Sequence, residues 1–278
     1  MALVFAIISL VGAVAAQVNT MADYELDLTD SRKRELVKAM KSVGRSKVKP
    51  LIIIELLLSL TFIILLSQIQ GKPALLFMWA AAIFFAYAYS SPPLRLKSRS
   101  WLAVLTLLIV LSILPVSFVY HTFASELDPL FLLFLSGQAL TVYGVIVPAE
   151  IRDYFRDKAM GVQTMTVQLG LVKSSLFSIM LLSAGGILAG TGLFLKLVYG
   201  SQPLLIVSFF VMAIVYGFVL RKYKRLYSLS KKPLTAGNPS SGAQEIENLS
   251  AQNPQWITII TQTIVFMCLI LLVSKIFF

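Results

Sequence analysis

Eight stretches of this chain, near 2–18, 51–68, 73–90, 101–120, 129–147, 174–195, 203–220 and 256–274, are apolar and almost free of charge. A soluble domain of 278 residues could not enclose that much apolar surface, and the mean hydropathy of +0.83 agrees. Wound as helices, the runs each cross about 30 Å of hydrocarbon, so the solvent of this fold is a bilayer. The apolarity is continuous rather than alternating, and backbone groups in lipid must pair within their own segment, which predicts helices and excludes a barrel. The expected fold is all-α: a multi-pass transmembrane helix bundle with eight spans.

Basic residues set the orientation. Of 24 Lys and Arg, 21 fall in segments 19–50, 91–100, 148–173 and 221–255, and the positive-inside bias makes these four segments cytoplasmic. The same placement accounts for the net charge of +11 through topology and anionic lipid head groups, without nucleic acid. The single cysteine, Cys268, excludes an intramolecular disulfide, and His121 stands in a short outer loop. Neither points to a Cys/His metal site or a nucleophilic triad. The first run ends in "AVAAQ", like a signal-peptide cleavage site, but its start carries no positive charge. Cleavage would also export the eight basic residues of segment 19–50. It reads instead as a helix descending into the cytoplasm, which implies that an upstream helix is missing from this chain.

Acid is scarce, with 13 Asp and Glu in all, yet "DYELD" at 23–27 returns as "DYFRD" at 153–157. Shifting the chain by that interval lays the first span over the fifth, each followed at once by an Asp-Tyr segment. An even number of spans per half predicts a parallel pseudo-repeat of four-helix halves, 1–128 and 129–278, in one membrane domain. Segment 226–255 is rich in Ser, Pro, Gly, Asn and Gln without apolar periodicity, and reads as a mobile cytoplasmic loop.

On a helix, Asn19, Asp23 and Asp27 at i, i+4 and i+8 align an amide and two carboxylates on one face. Glu150, Asp153 and Asp157 at i, i+3 and i+7 do the same after the fifth span. Either cluster alone reads equally well as solvated acids or as partners of Arg152, Arg156 and Lys158. Two clusters at equivalent points of a repeat favour a shared cation, and hard oxygen donors without His or Cys suit Mg²⁺. The third cytoplasmic segment, "YAYSSPPLRLKSRSW", carries Tyr89, Arg95 and Lys97 behind Pro92 and Pro93, which end the span and hold the chain extended. Arg and Lys so placed can grip a diphosphate, and Tyr89 adds a hydroxyl. The plain alternative is positive-inside anchoring. Acid, metal and diphosphate recognition beside a dry apolar cavity is what ionising an isoprenoid diphosphate requires.

The chain resembles the UbiA superfamily of intramembrane prenyltransferases. "NTMADYELD" is similar to the family's first Asp-rich motif at Asn19, Asp23 and Asp27, with Thr20 replacing one Asp. "EIRDYFRDKAMGVQTMTVQLG" is similar to the second at Asp153, Asp157, Gly161, Thr164 and Gly170, with Ala149 where some members have Asn, and "YSSPPLRLK" is similar to the loop between the motifs. The resemblance implies a bundle, nine-helical in the family, around a central cavity that holds Mg²⁺ and prenyl diphosphate. It implies that Asn19, Asp23, Asp27, Asp153 and Asp157 bind metal, that Asp153 and Asp157 also serve the acceptor, and that Tyr89, Arg95 and Lys97 hold the diphosphate. Asp23, Asp27, Asp153, Asp157 and Lys97 then carry catalysis: transfer of a polyprenyl group to a lipophilic or aromatic acceptor, at a cytoplasm-facing site in the cell membrane. The acceptor classes are a quinone precursor, an ether lipid, a porphyrin-type acid or a carotenoid. The alternatives are a catalytically incomplete, N-terminally truncated member of that family, or a membrane transporter, which predicts ionisable groups near mid-membrane. Glu55 is the one such group inside a predicted span, about five residues from the boundary, where snorkelling suffices.

Overall fold

The computed structural model describes residues 1–28, 33–124, 126–199, 203–231 and 239–256, and every regular element among them is helical. In chain order these are α1 (Ala2–Asp27), α2 (Arg34–Val43), α3 (Arg45–Gln70), α4 (Ala74–Ser90), a 3-10 turn (Leu96–Ser98), α5 (Trp101–Leu108), a π-helical turn (Ile109–Ile113) and α6 (Leu114–Phe123). There follow α7 (Pro129–Ala159), α8 (Met165–Leu169), α9 (Leu171–Tyr199), α10 (Pro203–Lys231) and α11 (Pro239–Ala251). Among the described residues, five segments are long and apolar enough to cross a membrane: Ala2–Glu25, Ser46–Gln70, Trp101–Phe123, Pro129–Ala159 and Leu171–Leu195. The predicted third span is the shorter apolar helix α4 of 17 residues, and the seventh falls on α10. The eighth, with Cys268, lies beyond Trp256 and outside the described residues.

The chain divides into two units, Met1–Ser125 and Glu126–Phe278. In the first, α1 contributes Val4 and Ile7 to a core shared with Ile63, Leu66, Leu75 and Phe118, and Val14 and Val18 to a second with Val48 and Ile52. These positions of α1 recur at helical spacing, so one stripe faces its neighbours. Glu55 has a partner on the neighbouring helix: its carboxylate accepts two hydrogen bonds of 2.9 Å from Gln17 Nε2 of α1. Lys72 Nζ, after α3, donates to the carbonyls of His121 at 2.7 Å and Ala124 at 2.8 Å, capping the open end of α6. Pro115 has no N–H, and its ring would strike the carbonyl four residues back; the wider π-helical turn just before it relieves that clash.

In the second unit α7 and α9 meet through small residues. Gly137 and Thr141 on α7 face Gly185 and Ala189 on α9, Gly144 lies against Leu181 and Leu182, and Gly192 lies against the α7 backbone at Leu130 and Phe134. Pro148 leaves the Gly144 carbonyl without its helical donor, and Ser178 Oγ from α9 donates to it at 2.7 Å. Segment 226–255, expected to be a loop, contains the end of α10 and all of α11. Leu226 and Leu229 on α10, and Ile246 and Leu249 on α11, are buried. Beyond α11, Asn253 accepts from Tyr223 Oη at 2.7 Å and donates through Nδ2 to Val145 O at 2.6 Å. The periodicity is present but is carried by Ser230, Ser250 and Asn253 beside four apolar residues, and polar residues obscured it in the sequence.

Candidate active site

α1 outlasts its apolar run by about two turns, since helical hydrogen bonds need no hydrocarbon once the chain leaves the bilayer. That extension carries Asn19, Asp23 and Asp27. α4 ends at Ser90; Ser91 is extended, the Pro92–Pro93 peptide is cis, and Arg95 takes the left-handed conformation at φ 37°. An L side chain adopts that conformation seldom, and here it returns the chain towards α1. Lys97 Nζ lies 2.5 Å from Asp23 Oδ1 and 3.0 Å from Asn19 Oδ1, Ser90 Oγ donates to the same Asn19 oxygen at 2.8 Å, and Arg95 Nη2 approaches Asp23 Oδ1 at 3.5 Å. The Lys97 and Asp23 side chains are each 15% exposed, so water screens this pair weakly. Burial pushes the Lys97 ammonium below its ordinary lysine range, opposed by the hydrogen bond and charge of Asp23.

Asn19, Asp23, Arg95 and Lys97 thus meet at one point, but Asp27 does not join them. Its buried carboxylate takes Lys33 Nζ at 2.5 Å. One helical turn beyond Asp23, it reaches the start of α2 instead of the basic loop. Tyr89 stands half-buried on α4 beside Ser90.

The second acidic row sits near the end of α7. Arg152 Nε lies 3.3 Å from Asp153, and Arg156 Nη2 lies between Asp153 at 3.6 Å and Asp157 at 3.3 Å. Glu150 has another task. It accepts from Tyr143 Oη at 3.1 Å and Thr166 Oγ1 at 2.8 Å, pinning α8 to α7. Thr164 Oγ1 caps α8 by accepting from Val167 N. Sequence reasoning missed Lys33, Tyr143 and Thr166: four basic residues follow Asp27 closely, and nothing in their order selects one.

Among the described residues no three Asp, Glu, His or Cys side chains gather around one point. The donor set nevertheless fits Mg²⁺. The oxygens of Asn19 and Asp23 already converge on one cationic group, Lys97 Nζ, and Mg²⁺ commonly takes one or two carboxylates with the rest of its sphere from water and substrate phosphates.

Residues 1–235 match the profile of the UbiA prenyltransferase family. The chain belongs to that family. Its fold agrees: a UbiA homologue from Archaeoglobus fulgidus, bound to GPP and Mg²⁺, superposes with a TM-score of 0.60 at 17% identity over 94% of this chain and 87% of that one. The same homologue bound to DMAPP and Mg²⁺ gives 0.58, also at 17% identity, over 94% and 87% of the two chains. A structure described for digeranylgeranylglyceryl phosphate synthase gives 0.57 at 17% identity over 96% and 84%. No curated protein sequence matches the chain. UbiA membership and the five apolar helices make this a multi-pass membrane protein.

Proposed function

We propose that this UbiA-family chain is a Mg²⁺-dependent transferase that moves a polyprenyl group from its diphosphate to a lipophilic or aromatic acceptor, at a site open to the cytoplasm. The observation that carries the reading is the meeting of Asn19, Asp23, Arg95 and Lys97 where α1 leaves its apolar run. The GPP, DMAPP and Mg²⁺ bound by the structural relatives fit that chemistry. The allylic carbon–oxygen bond breaks with its electron pair leaving on the diphosphate. The acceptor then bonds to the carbon and gives up a proton. Mg²⁺, bound with the substrate, would supply the charge that makes diphosphate a leaving group. Asn19 and Asp23 would hold it, Arg95 and Lys97 would bind phosphate oxygens, and the apolar helices would keep water from the carbocation. Asp153 and Asp157 would serve metal or acceptor, with Arg156 as their counter-charge in the resting protein. Asp27 would assist from its pair with Lys33, and Tyr89 would add a hydroxyl to the diphosphate.

The decisive assay measures diphosphate released by the purified chain from prenyl diphosphates of several lengths, offered with a quinone precursor, a glycerol-phosphate lipid, a porphyrin-type acid or a carotenoid. Release that requires both Mg²⁺ and one acceptor class is expected. Uptake without release would favour transport, and silence with every acceptor would sink the proposal. Full turnover in an Asp153→Ala variant would remove the second motif from the reaction.

Lys97 makes the reaction sensitive to alkali. Its lowered pKa places the cost of a buried ammonium below that pKa, so folding gains stability as pH rises through it. Diphosphate binding moves the opposite way, because the neutral amine no longer attracts phosphate. The profile of kcat/KM is expected to fall at a lower pH than an ordinary lysine would give, and Lys97→Arg is expected to carry that limb upward. Coincident limbs in the two enzymes would clear Lys97 of the role.

A further inference from the structure

A cleft of about 430 Å³ opens in the first unit where the C-terminal ends of α1 and α4 meet the N-terminal end of α3. Val18, Ile52 and Ile53 line it with hydrocarbon, and Lys49, Tyr87 and Ser91 supply its polar groups. It adjoins the candidate active site, sharing Met21, Ala22, Ser91 and Pro92 with the stretches that carry it, but none of Asn19, Asp23, Arg95 and Lys97 lines it. At roughly 100° per residue, Val18 points about 140° away from Asp23 around α1.

The polar groups of the cleft are open to its mouth, with Lys49 exposed and Tyr87 38% exposed. Neither the Lys49 ammonium nor the hydroxyls of Tyr87 and Ser91 have a hydrogen-bond or ion-pair partner among the described residues. Beyond the cleft, α3 turns Ile53 and Leu57 outward, 56% and 58% exposed, in a strip leading towards mid-membrane.

We propose that this cleft holds the headgroup of an anionic glycerophospholipid from the surrounding leaflet. The phosphate sits on Lys49, the hydroxyls of Tyr87 and Ser91 donate to its oxygens, and an acyl chain follows Ile53 and Leu57 along α3. Charge complementarity selects the occupant: a basic pocket between spans, level with the polar ends of the helices, attracts an anionic headgroup. A zwitterionic lipid gains less, because its own cation meets Lys49. A soluble phosphate leaves the hydrocarbon walls uncovered. The volume suits a headgroup and glycerol, with the tails outside it.

Native mass spectrometry of the full chain, detergent-exchanged with dioleoyl phosphatidylglycerol or dioleoyl phosphatidylcholine and without prenyl diphosphate, tests this independently of turnover. Wild type is expected to retain one phosphatidylglycerol under conditions that strip phosphatidylcholine. Lys49→Gln is expected to weaken retention by about tenfold, the loss of one charge-assisted hydrogen bond, and Tyr87→Phe to weaken it less. Lys38→Gln, on α2 and outside the cleft, is expected to match wild type. Equal retention of the two lipids, no response to Lys49→Gln, or displacement of the lipid by inorganic phosphate would each overturn the proposal.

Discussion

An Asp23→Asn variant is expected to release diphosphate a hundred to a thousand times more slowly than wild type, in order of magnitude about what a missing charge-stabilising group costs. The change keeps the size of the side chain and removes its charge. The point where the basic loop meets α1 then holds only neutral amides, and Lys97 and Arg95 lose the carboxylate that positions them, while Asp27 stays paired with Lys33. Affinity for the metal-loaded substrate and orientation of the two cations fall together, so kcat is expected to drop and kcat/KM to drop further, through a raised KM. Glu25→Gln, on the opposite side of the same helix, is expected to leave turnover near wild type. Single-turnover rates beside circular dichroism of both variants make the comparison. An Asp23→Asn enzyme as fast as wild type would remove this carboxylate from the chemistry.

Gly137→Ala is expected to destabilise the second unit by about 1–3 kcal/mol, with the damage near the upper end. In most helix interiors the same exchange is favourable by up to about 1 kcal/mol. A Cβ at Gly137 would stand 2.1 Å from the backbone nitrogen of Ala189 and 2.6 Å from the Gly185 carbonyl oxygen, and a backbone cannot rotate aside as a side chain can. α7 and α9 would have to separate, straining the Ser178 bond that satisfies the Gly144 carbonyl. Gly12 is the matched control: it is helical and exposed, with nothing within 4 Å of an added methyl, so Gly12→Ala is expected to be neutral or stabilising. Thermal denaturation in one detergent reads both signs, and a Gly137→Ala melting temperature at or above wild type would contradict the packing.

The helices were legible because hydrocarbon imposes a length and an apolarity that few sequences meet by chance. Their ends were less so: α7 runs to Ala159, well past the last residue of its apolar run, because a helix of charged and polar residues leaves no hydropathy signal. α11 was hidden for a related reason, its buried face being completed by Ser250 and, just beyond the helix, Asn253, in place of a continuous hydrophobic stripe. In the candidate site, regular spacing on α1 revealed Asn19 and Asp23, and the basic loop supplied Arg95 and Lys97. Spacing alone also grouped Asp27 with Asn19 and Asp23, and Glu150 with Asp153. Tertiary partners decided otherwise, Lys33 for one and Tyr143 with Thr166 for the other, and such partners leave no trace in a helical repeat.

The ammonium lodged between Asn19 and Asp23 has a bearing on how a ligand enters. The Asp23 carboxylate, 15% exposed, is neutralised by the chain's own Lys97 and so does not stand uncompensated in a poorly hydrated corner. If the proposed function holds, binding of a metal-loaded diphosphate would be an exchange of counter-ions, with Lys97 turning from protein oxygen to ligand oxygen as the cation takes over the Asp23 carboxylate. Free polyanion and free cation, offered singly, would each complete half of that trade.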